Sequence, residues 1–384
     1  MSEYLPGLEG VPATRSNISF IDGEKGILAY RGYPIGQLVE QSTFEETALL
    51  LLDGELPSVE SLEVFDQLLR RNRRVKYNIR EMMKHMPETG HPMDMLQTAV
   101  ASLGMFYPSS DNFASASGEG KLDYIHSMTV KLLARLPVIV AMWEQIRNGY
   151  DPIEPRADLN TAENFLYMLH GAEPEPLQAK IFDACLILHA EHTINASTFA
   201  ALVTGSTLAS PYGVIAAAVG TLSGPLHGGA NEKVVEMLKE IGTPDMVRPW
   251  LEAKLQKKEK IWGFGHREYK VKDPRAVILQ KLVEKMATQR GLSPLFETAI
   301  ALEEAAAERL GAKGVYPNVD FYSGILYSEM GIPTDQFTSL FAISRAAGWL
   351  AHWREQLADN RIFRPTQVYT GHPMRDYIGI ARRS

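Results

Sequence analysis

The segment from Gly263 to Arg275 has the composition of an anion-binding site with a catalytic group inside it. It reads Gly-Phe-Gly-His-Arg-Glu-Tyr-Lys-Val-Lys-Asp-Pro-Arg, so a histidine stands among glycines and cations. From residue 254 to 275, eight Lys and Arg stand against three Asp and Glu, a net charge of +5 in a chain whose formal charge is −7. Glycines let a backbone approach a ligand closely, and Asp-Pro favours a turn that fixes where the last arginine points. On charge alone, a solvated loop is the alternative.

A second histidine, His227, lies in Ser-Gly-Pro-Leu-His-Gly-Gly-Ala-Asn at 223–231, where we expect a helix to begin. Its small neighbours leave the ring approachable. A helix N-terminus disfavours a cationic imidazole, so a neutral His227 could donate a hydrogen bond to a developing negative charge. The alternative is a histidine that caps a tight glycine turn.

One carboxylate, Asp320, stands in the aromatic stretch Tyr-Pro-Asn-Val-Asp-Phe-Tyr-Ser-Gly at 316–324. Burial in such surroundings raises the pKa of an aspartate above about 3.9 and makes it a better base. A helix cap is the alternative, because aspartate is common there.

Arginines complete a possible catalytic set. Arg345 lies in a small, apolar helical context and therefore needs an anionic partner, whereas Arg364 is as compatible with the surface as with a ligand clamp. Two histidines, one carboxylate and bidentate arginines suit carbon–carbon bond formation through an enolate. The base removes a proton next to a carbonyl, a neutral histidine holds the enolate oxygen, and the arginines hold a carboxylated electrophile.

Two other reactive patterns have simpler interpretations. His189 and His192 could share one helix face, but the order is not HExxH and no cysteine cluster or third ligand is evident, so we expect no metal. The single cysteine, Cys185, excludes an intrachain disulfide, fits a reducing compartment and is typical of a small core residue.

Helical patterns dominate the elements that must position these residues. A capping box at Thr43–Glu46 begins a helix that ends at Gly54, and Ser293-Pro294 begins one that ends at Gly311. Further helices are predicted at 58–71, 93–106, 121–147, 161–170, 175–191, 231–241, 244–257, 274–290 and 335–358, with packed core helices in 196–226. A hairpin is predicted from 18–22 and 26–30, and an extended piece at 367–370. The prediction is an all-α (mainly α) fold with a small N-terminal β-hairpin.

Composition restricts the partners. The chain has 384 residues, 45% hydrophobic and 22% charged, as in ordinary globular proteins. An acidic chain without a strongly basic domain argues against nucleic acid. The N-terminus lacks the features of signal and transit peptides, and the most apolar region is interrupted by Gly and Pro, so we expect a cytoplasmic protein that spans no membrane.

The segments around His227, His266 and Asp320, taken in this order and spacing, closely resemble the three active-site motifs of the citrate synthase family. The similarity extends from the hairpin region at 21–35 to Arg364-Pro365. It implies a two-domain helical fold, with a large domain from 1–223 and 326–384 and a small domain from 224–325 that closes over the site. It also implies a homodimer, or a higher oligomer built from it, in which both subunits contribute to each active site.

The resemblance also implies roles. The enzyme would be an acyltransferase that condenses acetyl-CoA with oxaloacetate and hydrolyses citryl-CoA to citrate and CoA, the entry to the tricarboxylic acid cycle. Asp320 matches the base, His227 the group that stabilises the enol, and His266 the group that polarises the carbonyl and acts as acid. Oxaloacetate binders are matched by His192, Arg275, Arg345 and Arg364, the last from the neighbouring subunit.

CoA is expected as a co-substrate, with no prosthetic group. Lys270 and Lys313 match the positions where the family has cations near the CoA phosphates. The Gly263–Gly265 loop matches the loop whose backbone contacts the adenine of CoA. One residue departs from the family pattern: Glu268 stands where Val or Ile is usual. The alternatives are a 2-methylcitrate synthase that uses propionyl-CoA, and a catalytically weak homologue that serves as an assembly module.

Overall fold

The computed structural model describes residues 4–107 and 119–383, and this part of the chain is mainly helical, as predicted. Its sixteen α-helices are α1 (Ile35–Gln41), α2 (Phe44–Asp53), α3 (Val59–Asn72), α4 (Tyr77–Lys84), α5 (Pro92–Phe106), α6 (Glu119–Arg147), α7 (Thr161–His170), α8 (Pro176–His189), α9 (Ala196–Ser206), α10 (Pro211–Leu222), α11 (Ala230–Ile241), α12 (Val247–Gln256), α13 (Pro274–Arg290), α14 (Pro294–Leu310), α15 (Val319–Glu329) and α16 (Phe337–Ala358). Short 3-10 turns lie at Pro6–Leu8, Pro244–Met246, Gly311–Lys313, Thr334–Gln336 and Ile380–Arg382.

The predicted hairpin is present and extends into a third strand. Strands β1 (Ser19–Asp22) and β2 (Ile27–Tyr30) pair antiparallel with Ser19 opposite Tyr30, and β3 (Tyr33–Pro34) pairs with the end of β2. The first two strands begin one residue later than predicted and end at the predicted residues. Residues 367–370, predicted to be extended, form no strand.

The helix caps predicted at Thr43 and Ser293 are present in the structure. The Thr43 side chain accepts the N–H of Glu46 at 3.2 Å, and Gly54 ends α2 in the left-handed region at φ 98°. Ser293 likewise accepts the N–H of Phe296, with Pro294 in the first turn of α14. Each cap satisfies a backbone group that has no partner inside the helix.

Three helices were not predicted: α1, α4 and α15. The first two are only seven and eight residues long, too short for a clear helical period. The third begins inside the Asp320 motif, where Asn318 is the cap and Asp320 lies one residue into the helix. The helix-cap alternative for Asp320 is therefore wrong in detail, because the capping side chain is Asn318.

Helix α16 forms the centre of the core. It is buried along most of its length and packs against α2, α6, α8, α9 and α10. Cys185 on α8 is a buried free thiol, as predicted. Helix α6 is the only described helix long and apolar enough to cross a membrane, but 83% of its apolar window is buried inside the protein, which makes it a core helix.

Helices α11 to α15 form a second group. Within this group α11 contacts α14 and α15, α12 contacts α14, and α13 contacts α15. The group meets the first through contacts of α13 with α1 and α8 and of α11 with α16. The candidate site residues lie where the two groups meet.

Candidate active site

A cavity of about 470 Å³ brings together side chains from five parts of the chain. These are the loop between α8 and α9, the turn before α11, the glycine-rich loop before α13, the start of α15, and α16. The predicted site residues that line it are His192, His227, Gly263, Gly265, His266, Arg275, Asp320 and Arg345. The three motifs, far apart in sequence, therefore share one cavity.

Backbone pairing holds the glycine-rich loop against the Asp320 motif. The Gly265 N–H donates to the Tyr316 carbonyl at 2.8 Å, and the Asn318 N–H donates to the Gly263 carbonyl at 2.8 Å. Gly263 has φ 77°, and a Cβ there would lie 2.7 Å from Val234 Cγ2, so both conformation and space require glycine. This pairing places His266 and Asp320 on the same wall.

Asp320 is a carboxylate with little access to water. The residue is 8% exposed, and its Oδ1 is buried with no hydrogen-bond partner among the described residues. Its N–H donates to Asn318 Oδ1 at 3.0 Å, which fixes the backbone. Burial raises the pKa of the Asp320 carboxyl from 3.8 to about 7, because an ionised carboxylate loses its hydration there. A base with a pKa near neutrality is well matched to proton abstraction.

His227 lies in the turn before α11 rather than inside the helix, which begins at Ala230. Its Nε2 accepts the backbone N–H of Ser197 at 3.3 Å and lies 2.8 Å from the Ser197 hydroxyl. A backbone N–H can only donate, so the neutral ring carries its proton on Nδ1. Burial, and then the positive charge of Arg345, lowers the pKa of His227 from 6.5 to about 4. The neutral state is as predicted, but the main cause is burial instead of a helix terminus.

His266 has the opposite tautomer. Its Nδ1 accepts the N–H of Glu268 at 3.0 Å and that of Tyr269 at 3.4 Å, so the neutral ring carries its proton on Nε2. Burial, and then Arg275, lowers the pKa of His266 from 6.5 to about 4. Glu268 is exposed at the cavity rim, and the contact that it makes with His266 comes from its backbone. The two histidines are thus neutral donors through different ring nitrogens.

The two buried arginines that line the cavity differ in their partners. Arg275, 2% exposed, donates from Nε and Nη2 to Asp273 at 3.0 and 2.7 Å. Arg345, 1% exposed, donates from Nε to the His189 carbonyl at 2.7 Å, while its Nη2 is buried without a partner among the described residues. Burial lowers the pKa of Arg345 to about 10, which still leaves it charged at neutral pH. An unsatisfied buried guanidinium favours an anionic ligand.

His192 lies beside His266 in the same cavity. Its Nε2 lies 3.1 Å from the Tyr269 hydroxyl, and its ring packs edge to face against that of His266 with 5.1 Å between the ring centres. Burial lowers the pKa of His192 well below 6.5. The other histidine of the pair, His189, donates from Nδ1 to the Cys185 carbonyl at 2.8 Å and is fully buried. No group of three potential metal-ligating side chains occurs in residues 4–107 and 119–383.

Three predicted residues do not line this cavity. Arg364 is exposed and donates to the carbonyl of Pro365 at 3.1 Å. Lys270 and Lys313 are also exposed and lie outside the lining. Two cations that were not assigned do line it, Lys260 and Arg267, with Lys260 Nζ 4.0 Å from the centre of the Trp262 ring. The signal for both was their position on either side of Gly-Phe-Gly-His in the basic segment.

Comparison with known proteins decides the family. Residues 7–366 match the family model described as citrate synthase, C-terminal domain. The chain belongs to the citrate synthase family. The prediction of an acyltransferase enzyme of this family is therefore confirmed.

Relatives cover nearly the whole chain. Citrate synthase from Acidithiobacillus ferridurans is 62% identical over 99% of both chains, and that from Synechocystis is 54% identical over 99% of this chain and 94% of the relative. Among solved structures, citrate synthase from Pyrobaculum aerophilum is 40% identical, with a TM-score of 0.93 over 98% of this chain and 95% of the other. A ternary complex of citrate synthase from Thermoplasma acidophilum with carboxymethyl coenzyme A and oxaloacetate is 32% identical, with a TM-score of 0.92 over the full length of both chains.

Proposed function

We propose that this chain condenses acetyl-CoA with oxaloacetate and hydrolyses the resulting citryl-CoA to citrate and CoA. The observation that carries the proposal is the arrangement of a poorly hydrated carboxylate and two neutral histidines of opposite tautomer beside an arginine with a free donor. The bound ligands of the Thermoplasma acidophilum relative, carboxymethyl coenzyme A and oxaloacetate, support the choice of substrates.

In the proposed reaction, the ionised Asp320 carboxylate takes a proton from the methyl group of acetyl-CoA. The Nδ1–H of His227 donates to the thioester oxygen as it becomes an enolate or enol. The nucleophilic carbon then attacks the ketone carbon of oxaloacetate, and the Nε2–H of His266 donates to the ketone oxygen and transfers its proton as the alkoxide forms. Water finally cleaves the citryl thioester, which releases citrate and the CoA thiol.

The remaining side chains would bind the substrates. His192, Arg275 and Arg345 face the carboxylates of oxaloacetate, where the unpartnered Nη2 of Arg345 offers a charge-assisted hydrogen bond. We assign the Gly263–Gly265 loop to the adenine, and Lys270 and Lys313 to the CoA phosphates. Lys260 and Arg267, which line the cavity, are additional candidates for the phosphates. No prosthetic group is required, because these side chains supply the base, the acid and the charge.

Assembly and location follow as further proposals. We propose a homodimer, open to higher assembly, in which Arg364 reaches the active site of the partner. Residues 359–379 form no helix or strand, and their apolar side chains include Met374, Tyr377 and Ile378, all exposed. This exposed apolar surface supports burial against a second copy.

We also propose that 224–325 is a closing domain, with its second boundary inside α15. The protein is proposed to work in the cytoplasm without nucleic acid or membrane partners.

Release of the CoA thiol tests the reaction. Oxaloacetate is mixed with acetyl-CoA or with propionyl-CoA, and free thiol is followed in each. We expect faster release from acetyl-CoA. A strong preference for propionyl-CoA would favour the 2-methylcitrate synthase alternative, and no release from either would favour a non-catalytic homologue.

Mixing two inactive variants tests the shared site. Asp320→Asn and Arg364→Gln homodimers are each expected to be impaired, and co-refolding them should restore activity, since hybrid dimers contain one site with both native residues. Absence of any recovery, with hybrid dimers shown to form, would place Arg364 outside the partner's site.

A further inference from the structure

The turn between β1 and β2 contacts the loop that carries His266. The Gly23 carbonyl accepts the N–H of Lys270 at 3.0 Å, although the two residues are far apart in sequence. Gly26, in the same turn, lies against Val271, whose Cγ2 would be 2.8 Å from an added Cβ. The hairpin turn therefore packs directly against residues 268–271.

Gly23 leaves no room for a side chain at this contact. A Cβ there would lie 2.0 Å from the Glu268 carbonyl oxygen and 2.7 Å from its carbon. The obstructing atoms belong to the backbone, so no rotamer change can relieve the overlap. Gly23 is not among the glycines with positive φ, so close approach alone requires glycine here.

The backbone that Gly23 touches also sets the state of His266. Glu268 and Tyr269 donate their N–H groups to His266 Nδ1, and the Tyr269 hydroxyl reaches His192 Nε2. The same short segment is thus held by the hairpin on one side and orients an active-site imidazole on the other. Any displacement at Glu268 moves the donor that fixes the tautomer.

We propose that Gly23 is a positioning residue for the reaction, acting through the backbone of residues 268–270 on His266. The absence of a side chain allows the hairpin to hold that backbone in place, so that its N–H groups keep the proton of His266 on Nε2, directed to the substrate. The inference rests on the proposed role of His266.

Gly23→Ala tests this, with Gly36→Ala as the matched control. Gly36 lies in α1 next to the hairpin, has no positive φ, and an added Cβ meets nothing within 4 Å. For Gly23→Ala we expect kcat to fall about tenfold to a hundredfold, as small misplacements of a catalytic group do. The Gly36→Ala variant should retain native kcat. Urea unfolding of both variants checks that each is folded.

The ring nitrogens of His266, observed by ¹⁵N NMR with labelled histidine, provide a readout that general destabilisation would not change. We expect the native chain and Gly36→Ala to show a proton on Nε2, and Gly23→Ala to show a mixture of tautomers. Should Gly23→Ala fail to fold, Gly26→Ala brings a methyl group against the Val271 side chain and also strains the turn at φ 65°, and the His266 ring signal then reports displacement of the loop separately from that strain.

A Gly23→Ala variant with kcat within twofold of Gly36→Ala, or with an unchanged His266 ring signal, would overturn the inference. Lack of thiol release by the native chain is a separate outcome. It would reject the proposed function, while the NMR comparison would still decide whether Gly23 fixes the His266 ring.

Discussion

Replacing Asp320 by asparagine should abolish most activity and at the same time stabilise the fold above neutral pH. The carboxyl is 8% exposed, and its Oδ1 has no hydrogen-bond partner among the described residues. Its pKa is raised by burial from 3.8 to about 7. The folded state therefore binds a proton more tightly than the unfolded state, and folding is favoured at low pH.

The magnitude follows from the two pKa values. Below pH 3.8 both states are protonated and the carboxyl carries no penalty. As the pH rises to about 7, the unfolded carboxyl ionises while the folded one does not, and stability falls. Above pH 7 the cost of the buried charge reaches about 4 kcal/mol, since each tenfold change in proton affinity corresponds to about 1.4 kcal/mol. Asparagine cannot ionise and avoids this cost.

Urea unfolding between pH 4 and 8 measures the difference. We expect Asp320→Asn to match the native chain near pH 4 and to exceed it by up to about 4 kcal/mol at pH 8. Its kcat should fall about a hundredfold to ten-thousandfold, the usual contribution of a general base. Asp245→Asn, at an exposed aspartate, is the control and should show no such pH-dependent gain.

Two results would refute this reasoning. A stability difference between Asp320→Asn and the native chain that stays constant from pH 4 to pH 8 would mean that the buried charge is not its source. Native kcat in the variant would mean that Asp320 is not the base. A variant that is inactive yet more stable only at high pH would support both points.

Three further predictions concern the same cavity. In steady-state assays His266→Gln should lower kcat by about a hundredfold or more with little change in either KM; a rise in KM alone would assign it to binding. Arg345→Gln should raise the KM for oxaloacetate about tenfold or more and leave that for acetyl-CoA nearly unchanged; the reverse pattern would place Arg345 at the CoA. The value of kcat/KM should fall about tenfold per pH unit below about pH 7, because burial raises the pKa of Asp320 to about 7; a midpoint near 4 would instead report histidine titration.

Sequence reasoning succeeded where the signal is local. Capping by Thr43 and Ser293 depends on residues within one helical turn, and both caps are present. The hairpin depends on alternation over a few residues and is also present. Burial of Cys185 could be predicted because its apolar neighbours lie on the same helix.

Prediction from the sequence was weaker for properties that depend on residues distant along the chain. The sequence predicts a neutral His227 because of a helix N-terminus. In the structure, burial and then the charge of Arg345 on α16 lower the pKa of His227. The resemblance points to Lys270 for the CoA phosphates and gives no signal for Lys260, although Lys260 lines the cavity and Lys270 does not. Composition identifies a basic segment, but which of its cations face the site depends on how the loop folds against residues 316–318.

Burial shifts the pKa of the carboxyl group and the pKa values of the imidazoles in this site in opposite directions. It raises the pKa of Asp320 and lowers those of His227 and His266, because in each case the charged form loses hydration. Positive charge from Arg275 and Arg345 opposes this effect at Asp320 and keeps its pKa from rising further. A bound dicarboxylate would neutralise part of that positive charge, so the pKa of Asp320 would rise and its carboxylate would become a stronger base. In the proposed reaction, the arginines would therefore link binding of oxaloacetate to the strength of the Asp320 base without any contact between the two substrates.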